Sequence, residues 1–195
     1  MINNTAATYI NDVFSELTDD DKGKYFVDKM FVFNNSVGKE YSKYINGEII
    51  SVGSLNNNYV KRSQKKGKNI LLISEWNYPK KTNEVQGYYS PEKFVFPLLI
   101  EFANKNKMKL NILGRAYKNM PHDDGSDEIK FFSSLSKCND WNYLPNVKAS
   151  RENYKIVDHS DIVVNISSTL GYEAFARGKK TAFISIRGFF LNETY

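Results

Sequence analysis

The chain has 195 residues, of which 41% are hydrophobic and 25% charged, a composition typical of soluble globular proteins. Its net charge of +5 is a modest basic excess that suits an anionic ligand or a membrane surface. A single cysteine, Cys138, excludes a disulfide framework and a thiolate metal cluster, and the two histidines show no metal-ligand spacing. Because no basic segment precedes an apolar one at the start, and no apolar stretch approaches about 20 residues, we expect a cytoplasmic protein.

Residues 1–60 predict a partial α/β segment. Residues 6–17 have a helical pattern, and residues 20–31 predict a second helix that opens on acidic residues at its positive end. Residues 47–52 predict a strand, and the glycine, serine and asparagines that follow predict a loop.

Residues 61–68 carry much of the basic charge and are interpreted as a solvated, Lys-rich linker. No aromatic residue is interleaved with these lysines, so we expect no nucleic-acid partner. Peripheral contact of this run with the inner membrane is left open.

Strands and helices alternate from residue 69 onward. The predicted strands are residues 69–74, 108–113, 141–143, 161–165 and 181–184, and the predicted helices are residues 90–106, 127–135, 151–157 and 170–177. This alternation predicts an α/β fold with a doubly wound, parallel, Rossmann-like sheet over residues 69–195. Since such sheets often have six strands and the sequence stops soon after the fifth, we expect the domain to be incomplete at its C-terminus.

The helix predicted over residues 90–106 begins with a capping serine, a proline and an acid in its first turn. Its aromatic and aliphatic residues are expected to be buried: Phe94, Phe96, Leu98, Leu99 and Phe102.

Ligands of open α/β sheets bind beyond the carboxyl ends of the strands, which nominates the loops at residues 74–78, 114–117 and 165–171. The third loop joins a buried strand to a helix through Ser167, Ser168 and Thr169. Hydroxyls and free N–H groups at a helix N-terminus favour an anion, and Gly171 would let a ligand approach the backbone. Glu173 could accept hydrogen bonds from a ribose. The alternative is a local one, in which Thr169 caps the helix and Glu173 complements its dipole.

The stretch from residue 154 to 188 carries a resemblance. Ser168-Thr169-Leu170-Gly171-Tyr172-Glu173-Ala174, followed by Ala176-Arg177-Gly178-Lys179-Lys180, resembles the donor-binding segment of GT-B-type glycosyltransferases. More closely, this stretch resembles the bacterial surface carbohydrate (polysaccharide) biosynthesis proteins that share that fold. Residues 111–115, 131–132 and 141–145 carry similar features.

The resemblance implies a nucleotide-sugar donor in a GT-B C-terminal-type domain. Ser167, Ser168 and Thr169 would then lie at the phosphates and Glu173 at the ribose, with Gly114 and Arg115 at the diphosphate. A fixed cation such as Arg115 stabilises charge that develops on a leaving group. The family generally works without a divalent metal, so we expect no metal and no cofactor beyond the donor substrate.

The loop at residues 74–78 should border the cleft. Glu75 could act as a general base on an acceptor hydroxyl, and Trp76 or Tyr78 could stack on a base or sugar. A polar loop with an aromatic lid over the core explains the same residues without catalysis. His159 precedes a strand and is interpreted as structural.

These features predict a glycosyltransferase that moves a sugar from a nucleotide-sugar donor to a surface polysaccharide or lipid-linked acceptor. Two alternatives stay open: a non-hydrolysing nucleotide-sugar 2-epimerase, and a non-catalytic nucleotide-sugar-binding fragment. The last is considered because only about 60 residues precede the linker, too few for a complete second Rossmann-like domain. The base, sugar, acceptor and oligomeric state are not predicted.

Overall fold

The structure of the chain is a computed structural model that describes residues 19–63, 67–76, 91–117, 125–136, 140–147 and 151–184. It divides into two compact units, Met1–Lys61 and Arg62–Tyr195. The division falls at the beginning of the predicted linker, so Arg62 and Ser63 belong to the second unit.

The first unit contains a two-stranded parallel sheet. Strand β1 (Tyr25–Val32) pairs with β2 (Ile45–Ser51), and helix α1 (Asn35–Tyr41) connects them. The Asn34 side chain accepts a hydrogen bond from the Val37 N–H at 2.9 Å and so caps α1. A short helix, α2 (Leu55–Asn58), follows β2.

The helix predicted over residues 20–31 is wrong, because most of that segment is strand β1. Only a short 3-10 turn forms at the acidic run Asp19–Asp21. The aromatic and β-branched residues of Tyr25–Val32 favour a strand, and β2 supplies hydrogen-bond partners along one edge of it. The helix predicted over residues 6–17 lies outside the described residues.

The second unit is built on a five-stranded parallel sheet in the order β5-β4-β3-β6-β7. The strands are β3 (Asn69–Ile73), β4 (Lys109–Tyr117), β5 (Trp141–Asn146), β6 (Ile162–Asn165) and β7 (Lys180–Phe183). The helices are α3 (Glu92–Lys105), α4 (Ser126–Leu135), α5 (Glu152–His159) and α6 (Thr169–Ala176). The chain thus starts in the middle, runs outward to β5, and returns to the other side of β3 to add β6 and β7. This is doubly wound order, and the predicted α/β fold with a parallel sheet flanked by helices is confirmed.

Helices cover both faces of this sheet. Ile70 and Leu72 of β3 pack with residues of α3 and α4, whereas Leu71 and Ile73 pack with residues of α5 and α6. Successive side chains of a strand point to opposite faces, so the unbroken apolar run of β3 serves two cores at once.

The burial predicted for the α3 helix is wrong at three positions. Phe94, Leu98 and Phe102 are 50%, 66% and 46% exposed, whereas Phe96 is fully buried and Leu99 packs at the edge of the core. Residues four apart lie on one helical stripe, and α3 turns the stripe of Phe96 and Ile100 to the sheet instead. Helix α3 also begins at Glu92, two residues after the predicted cap, and Ser90 lies outside the described residues.

A buried ion pair joins the carboxyl-terminal ends of α5 and α6. Arg177 donates from Nε and Nη2 to the Asp158 carboxylate at 2.7 and 2.5 Å, and the Ser63 N–H donates to it at 2.8 Å. The two side chains are 0% and 2% exposed. Burial alone would raise the pKa of Asp158, but the hydrogen bonds from Arg177 and Ser63 and the charges of Arg177 and Lys179 lower it below its usual 3.8.

Within the described ranges, no helix is both long and apolar enough to span a bilayer.

Candidate ligand-binding site

A cleft of about 490 Å³ opens at the carboxyl ends of the strands, where the strand order reverses between β3 and β6. Its polar lining includes Glu75, Arg115, Asn146, Asn153, Ser167, Ser168 and Thr169. The sequence-predicted residues Gly114, Arg115, Glu75 and Ser167 to Thr169 therefore meet in one place. This position is where doubly wound folds bind their ligands.

Glu75 connects three elements at the floor of this cleft. Its carboxylate accepts hydrogen bonds from the Ser167 N–H at 2.9 Å and from the Ser167 hydroxyl at 2.6 Å. Its backbone carbonyl accepts a hydrogen bond from Arg115 Nη1 at 3.1 Å. The side chain thus holds the loop after β6 against the loop after β3.

Two buried glutamates support these loops from the helices behind them. Glu92 opens α3 and accepts the Glu75 N–H at 2.8 Å. Glu128, in the first turn of α4, accepts the Arg115 N–H at 3.0 Å and the Tyr143 hydroxyl at 2.7 Å. Both glutamates are 0% exposed. A carboxylate is favoured at a helix N-terminus, and here it also satisfies a backbone donor beside the cleft.

Gly114 lies inside β4, which continues past the predicted end at residue 113. A side chain at this position would collide with the ring and hydroxyl of Tyr143, which reaches across to Glu128. Gly114 therefore permits the Tyr143–Glu128 bond, and the pairing of β4 with β5 becomes irregular beyond Leu113.

The loop of Ser167, Ser168 and Thr169 is shaped by a buried asparagine. Asn165 donates from Nδ2 to the Ser168 carbonyl at 3.1 Å and accepts the Ser168 N–H at 3.2 Å. Gly171 makes room for it, since a Cβ at that position would collide with the Asn165 side chain. The close approach expected at Gly171 thus involves a protein side chain.

Thr169 begins α6, and Ser168 stands at its cap position without a side-chain capping bond. Thr169 is therefore the first residue of the helix and not its cap, so the local capping role considered for it is wrong. Both hydroxyl residues line the cleft instead.

Glu173 lies one turn into α6 and is not part of the cleft lining described here. Its carboxylate accepts a hydrogen bond from the Tyr154 hydroxyl at 2.9 Å, and the Arg177 guanidinium lies 5.4 Å from the centre of the Tyr154 ring. Its ribose contact stays a prediction.

Trp76 is 8% exposed, and its ring centre lies 6.3 Å from that of Phe131 of α4. This packing fits the aromatic lid over the core, while stacking on a ligand stays a prediction. Tyr78 lies outside the described residues. His159 is exposed at the end of α5, whose carboxyl terminus points away from the cleft.

Sequence reasoning missed Asn146 and Asn153. Asn146 ends β5 and Asn153 lies in the first turn of α5, and the Asn153 Nδ2 donates to the Asn146 Oδ1 at 2.8 Å. The rule that nominated the other three loops also applies to the end of β5. The available signal was an asparagine three residues after the strand predicted at residues 141–143, with no motif around it.

Three features of the cleft favour an anion. The N-termini of α5 and α6 both reach it, each carrying a partial positive charge, and Arg115 adds a full one. The negative charge of Glu75 opposes these features, and its carboxylate is hydrogen-bonded to Ser167. Hydroxyl groups and asparagine amides surround these charges.

The fold and this cleft define a doubly wound α/β protein with a polar cleft at its switch point. The full chain, residues 1–195, matches the model of a family described as "putative O-antigen biosynthesis protein", and the chain belongs to that family. This membership supports a role in surface polysaccharide synthesis. No curated protein matches the chain significantly.

Proposed function

We propose that the second unit binds a nucleotide sugar in the cleft and that the protein transfers the sugar to a growing surface polysaccharide or a lipid-linked acceptor. The observation that carries this proposal is the meeting of Arg115 with the Ser167–Thr169 loop at the switch point. Membership in the O-antigen biosynthesis family supports the same chemistry, because surface polysaccharides are assembled from activated sugars.

In the proposed reaction, an acceptor hydroxyl oxygen bonds to the anomeric carbon as the bond from that carbon to the phosphate oxygen breaks. The nucleotide leaves with the electron pair, and the hydroxyl proton passes to a base. Ser168, Thr169 and the N-terminus of α6 bind the phosphates, and Arg115 stabilises the charge of the departing nucleotide. The GT-B domain type remains part of this proposal.

Glu75 is proposed as the base. It lines the cleft, but both of its carboxylate oxygens accept hydrogen bonds from Ser167. Accepting a proton therefore requires at least one of these bonds to open when the substrates bind. Until then, Glu75 positions the loop.

Calorimetric titration with UDP, GDP, CDP and CMP tests donor binding. We expect one nucleotide to bind saturably and Arg115→Ala to weaken it about tenfold, or about 1.4 kcal/mol. Arg62→Ala is the matched control, because Arg62 donates to the Ala176 carbonyl at the far end of α6. A folded wild-type protein that binds none of the four would contradict the proposal.

The ribose contact of Glu173 is tested in the same titration. Glu173→Ala should weaken the nucleotide about tenfold if the carboxylate reaches the ribose. Tyr154→Phe is the control, because it removes the hydrogen bond to Glu173 and leaves the carboxylate in place.

A non-catalytic nucleotide-sugar-binding role is the second candidate, favoured by the occupied carboxylate of Glu75. Release of free nucleotide from the sugar donor only in the presence of acceptor would separate transfer from binding.

A further inference from the structure

One amide in the cleft has a polar atom without a partner. The Asn153 Nδ2 donates to Asn146, whereas the Asn153 Oδ1 is buried and accepts no hydrogen bond within the described residues. A buried acceptor that stays unpaired lowers the stability of the fold, and native proteins leave few of them. Because Asn153 itself lines the cleft, a rotation of its side chain could bring this oxygen to a partner that binds there.

The location of this atom separates it from the other unpaired group. Among the described residues, the second buried side-chain atom without a partner is Trp141 Nε1. The Trp141 ring packs edge-on against Phe96 in the aromatic core, with ring centres 5.6 Å apart, and does not line the cleft. Asn153 does line the cleft, directly beside Asn146.

The chemistry of an amide oxygen restricts the partner. A carbonyl oxygen accepts a hydrogen bond and repels the oxygens of a phosphate, so it pairs with an O–H or N–H donor, which the base and the sugar of a nucleotide sugar carry. The anion-binding features, Arg115 and the Ser168–Thr169 pair, come from β4 and from the loop after β6. Asn153 instead belongs to α5, beside the end of β5.

We propose that Asn153 is a specificity-determining residue of the donor site. Its amide turns from Asn146 toward the ligand, and its oxygen accepts a hydrogen bond from a neutral O–H or N–H group of the nucleotide sugar. The ligand therefore lies with its phosphates at α6 and a neutral part at α5. Turning loses one bond to Asn146, which is partly exposed and can be hydrated, and gains a partner for the buried oxygen. This inference rests on the proposed function.

The base and the sugar of the donor can both supply such a group. Binding is therefore measured by calorimetry with inorganic pyrophosphate, with whichever of UDP, GDP and CDP binds the wild type, and with its glucose ester. We expect Asn153→Leu to weaken the nucleotide or its glucose ester about tenfold, while pyrophosphate binds as before. Loss with the free nucleotide assigns the partner to the nucleoside, and loss only with the glucose ester assigns it to the sugar.

Asn142→Leu is the matched control. Asn142 also donates from Nδ2 to a second asparagine, Asn111, at 3.1 Å, but it lies near the start of β5 and does not line the cleft. This variant should bind all three probes as the wild type does. The melting temperature of Asn153→Leu should stay close to that of the wild type, because removal of the unpaired buried oxygen offsets the lost hydrogen bond to Asn146.

A spectroscopic measurement tests the same inference without relying on a variant's affinity. In the ¹⁵N spectrum of the wild type, the side-chain amide signal of Asn153, identified by its loss in Asn153→Leu, should shift with the nucleotide or its glucose ester and stay with pyrophosphate. Unchanged affinity of Asn153→Leu for both nucleotide probes overturns the assignment of Asn153 alone. A wild type that binds no nucleotide overturns the proposed function, and the assignment with it.

Discussion

Glu75 has two roles that exclude each other at any one moment. With both carboxylate oxygens bound to Ser167, it fixes the loop after β6, and with one oxygen released it could accept a proton. The exchange between these arrangements is local, because it needs only a rotation of the Glu75 or Ser167 side chain.

Replacing Glu75 by glutamine separates the two roles. Glutamine keeps the volume of the side chain and an oxygen that can accept the Ser167 N–H, but it cannot take up a proton. We expect nucleotide release with acceptor to slow about 100-fold, within the usual range for loss of a general base. The nucleotide Kd should change less than about threefold.

Glu152→Gln is the control for this substitution, because Glu152 forms an exposed ion pair with Lys155. If Glu75→Gln weakened nucleotide binding as much as it slowed release, Glu75 would be a positioning residue only.

Gly171 tests how tightly the loop after β6 is packed. We expect Gly171→Ala to lower the free energy of unfolding by about 1–3 kcal/mol, the usual range for an overpacked site, since the new methyl group collides with Asn165. Urea denaturation measures this change. In the double variant with Asn165→Ala the collision is gone, so its loss should be smaller than the sum of the two single losses. Additive losses would show that the clash is not responsible.

For single residues, the sequence predicts membership of the cleft when the position of the residue after a strand is enough to place it there. The hydroxyl loop and Arg115 follow predicted strands, so the rule for parallel sheets brings them to one edge. The bond between Asn146 and Asn153, and that between Tyr143 and Glu128, depend on how a helix turns over a strand. Periodicity does not define that rotation.

Helices α3 and α4 repeat one device at the scale of elements. In each helix, a buried glutamate of the first turn accepts a hydrogen bond from a backbone N–H of a neighbouring segment. Glu92 accepts the N–H of Glu75, just after β3, and Glu128 accepts the N–H of Arg115, near the end of β4. The acids in these first turns are visible in the sequence, but their burial is not, because an exposed acid gives the same signal. Asp127, next to Glu128, is such an acid and pairs with Lys130.

Glu128→Ala should therefore lower the free energy of unfolding by about 3 kcal/mol, because the Arg115 N–H and the Tyr143 hydroxyl lose their acceptor. Guanidinium denaturation measures the change. Asp127→Ala is the control and should have an effect below about 1 kcal/mol, as expected for an exposed pair. Equal effects of the two variants would contradict the support assigned to Glu128.

The ion pair between α5 and α6 makes the free energy of unfolding depend on pH. The pKa of Asp158 is lowered below 3.8 in the fold, so its contribution is present above that value and is lost as the pH falls toward the folded pKa. Thermal unfolding measured between pH 6 and pH 2 should show this loss for the wild type. Asp158→Asn should be less stable at pH 6 and should lack that part of the slope. A variant with the wild-type slope would contradict the assignment.

At the scale of the whole molecule, the sequence predicted the parallel sheet well and the first unit poorly. Five strands separated by helices leave little choice of fold, since a helix between two strands returns the chain to the end of the sheet where the first strand began, and the strands are then parallel. Residues 20–31 carry both a helical start and a β-rich run, and only pairing with the strand at residues 45–51 decides between them. Helix α3 carries two apolar stripes, one with Leu98 and one with Phe96. Only one of them can face the sheet, and the sequence does not indicate which.

The reversal of strand order also has a consequence for how the second unit folds. Glu75 and Ser167 are 92 residues apart in the chain, and the paired residues of β3 and β6, such as Ile70 and Ile162, are equally distant. Contacts this distant form slowly, because closing a long loop precedes any gain from pairing.

Both tryptophans, Trp76 and Trp141, pack against residues of α3 or α4 and so report on the half of the sheet built from β3, β4 and β5. In stopped-flow refolding, tryptophan fluorescence should recover before the ability to bind nucleotide, and equal rates would show that both halves form together. If fluorescence does recover first, the binding cleft exists only in the last species on the folding pathway.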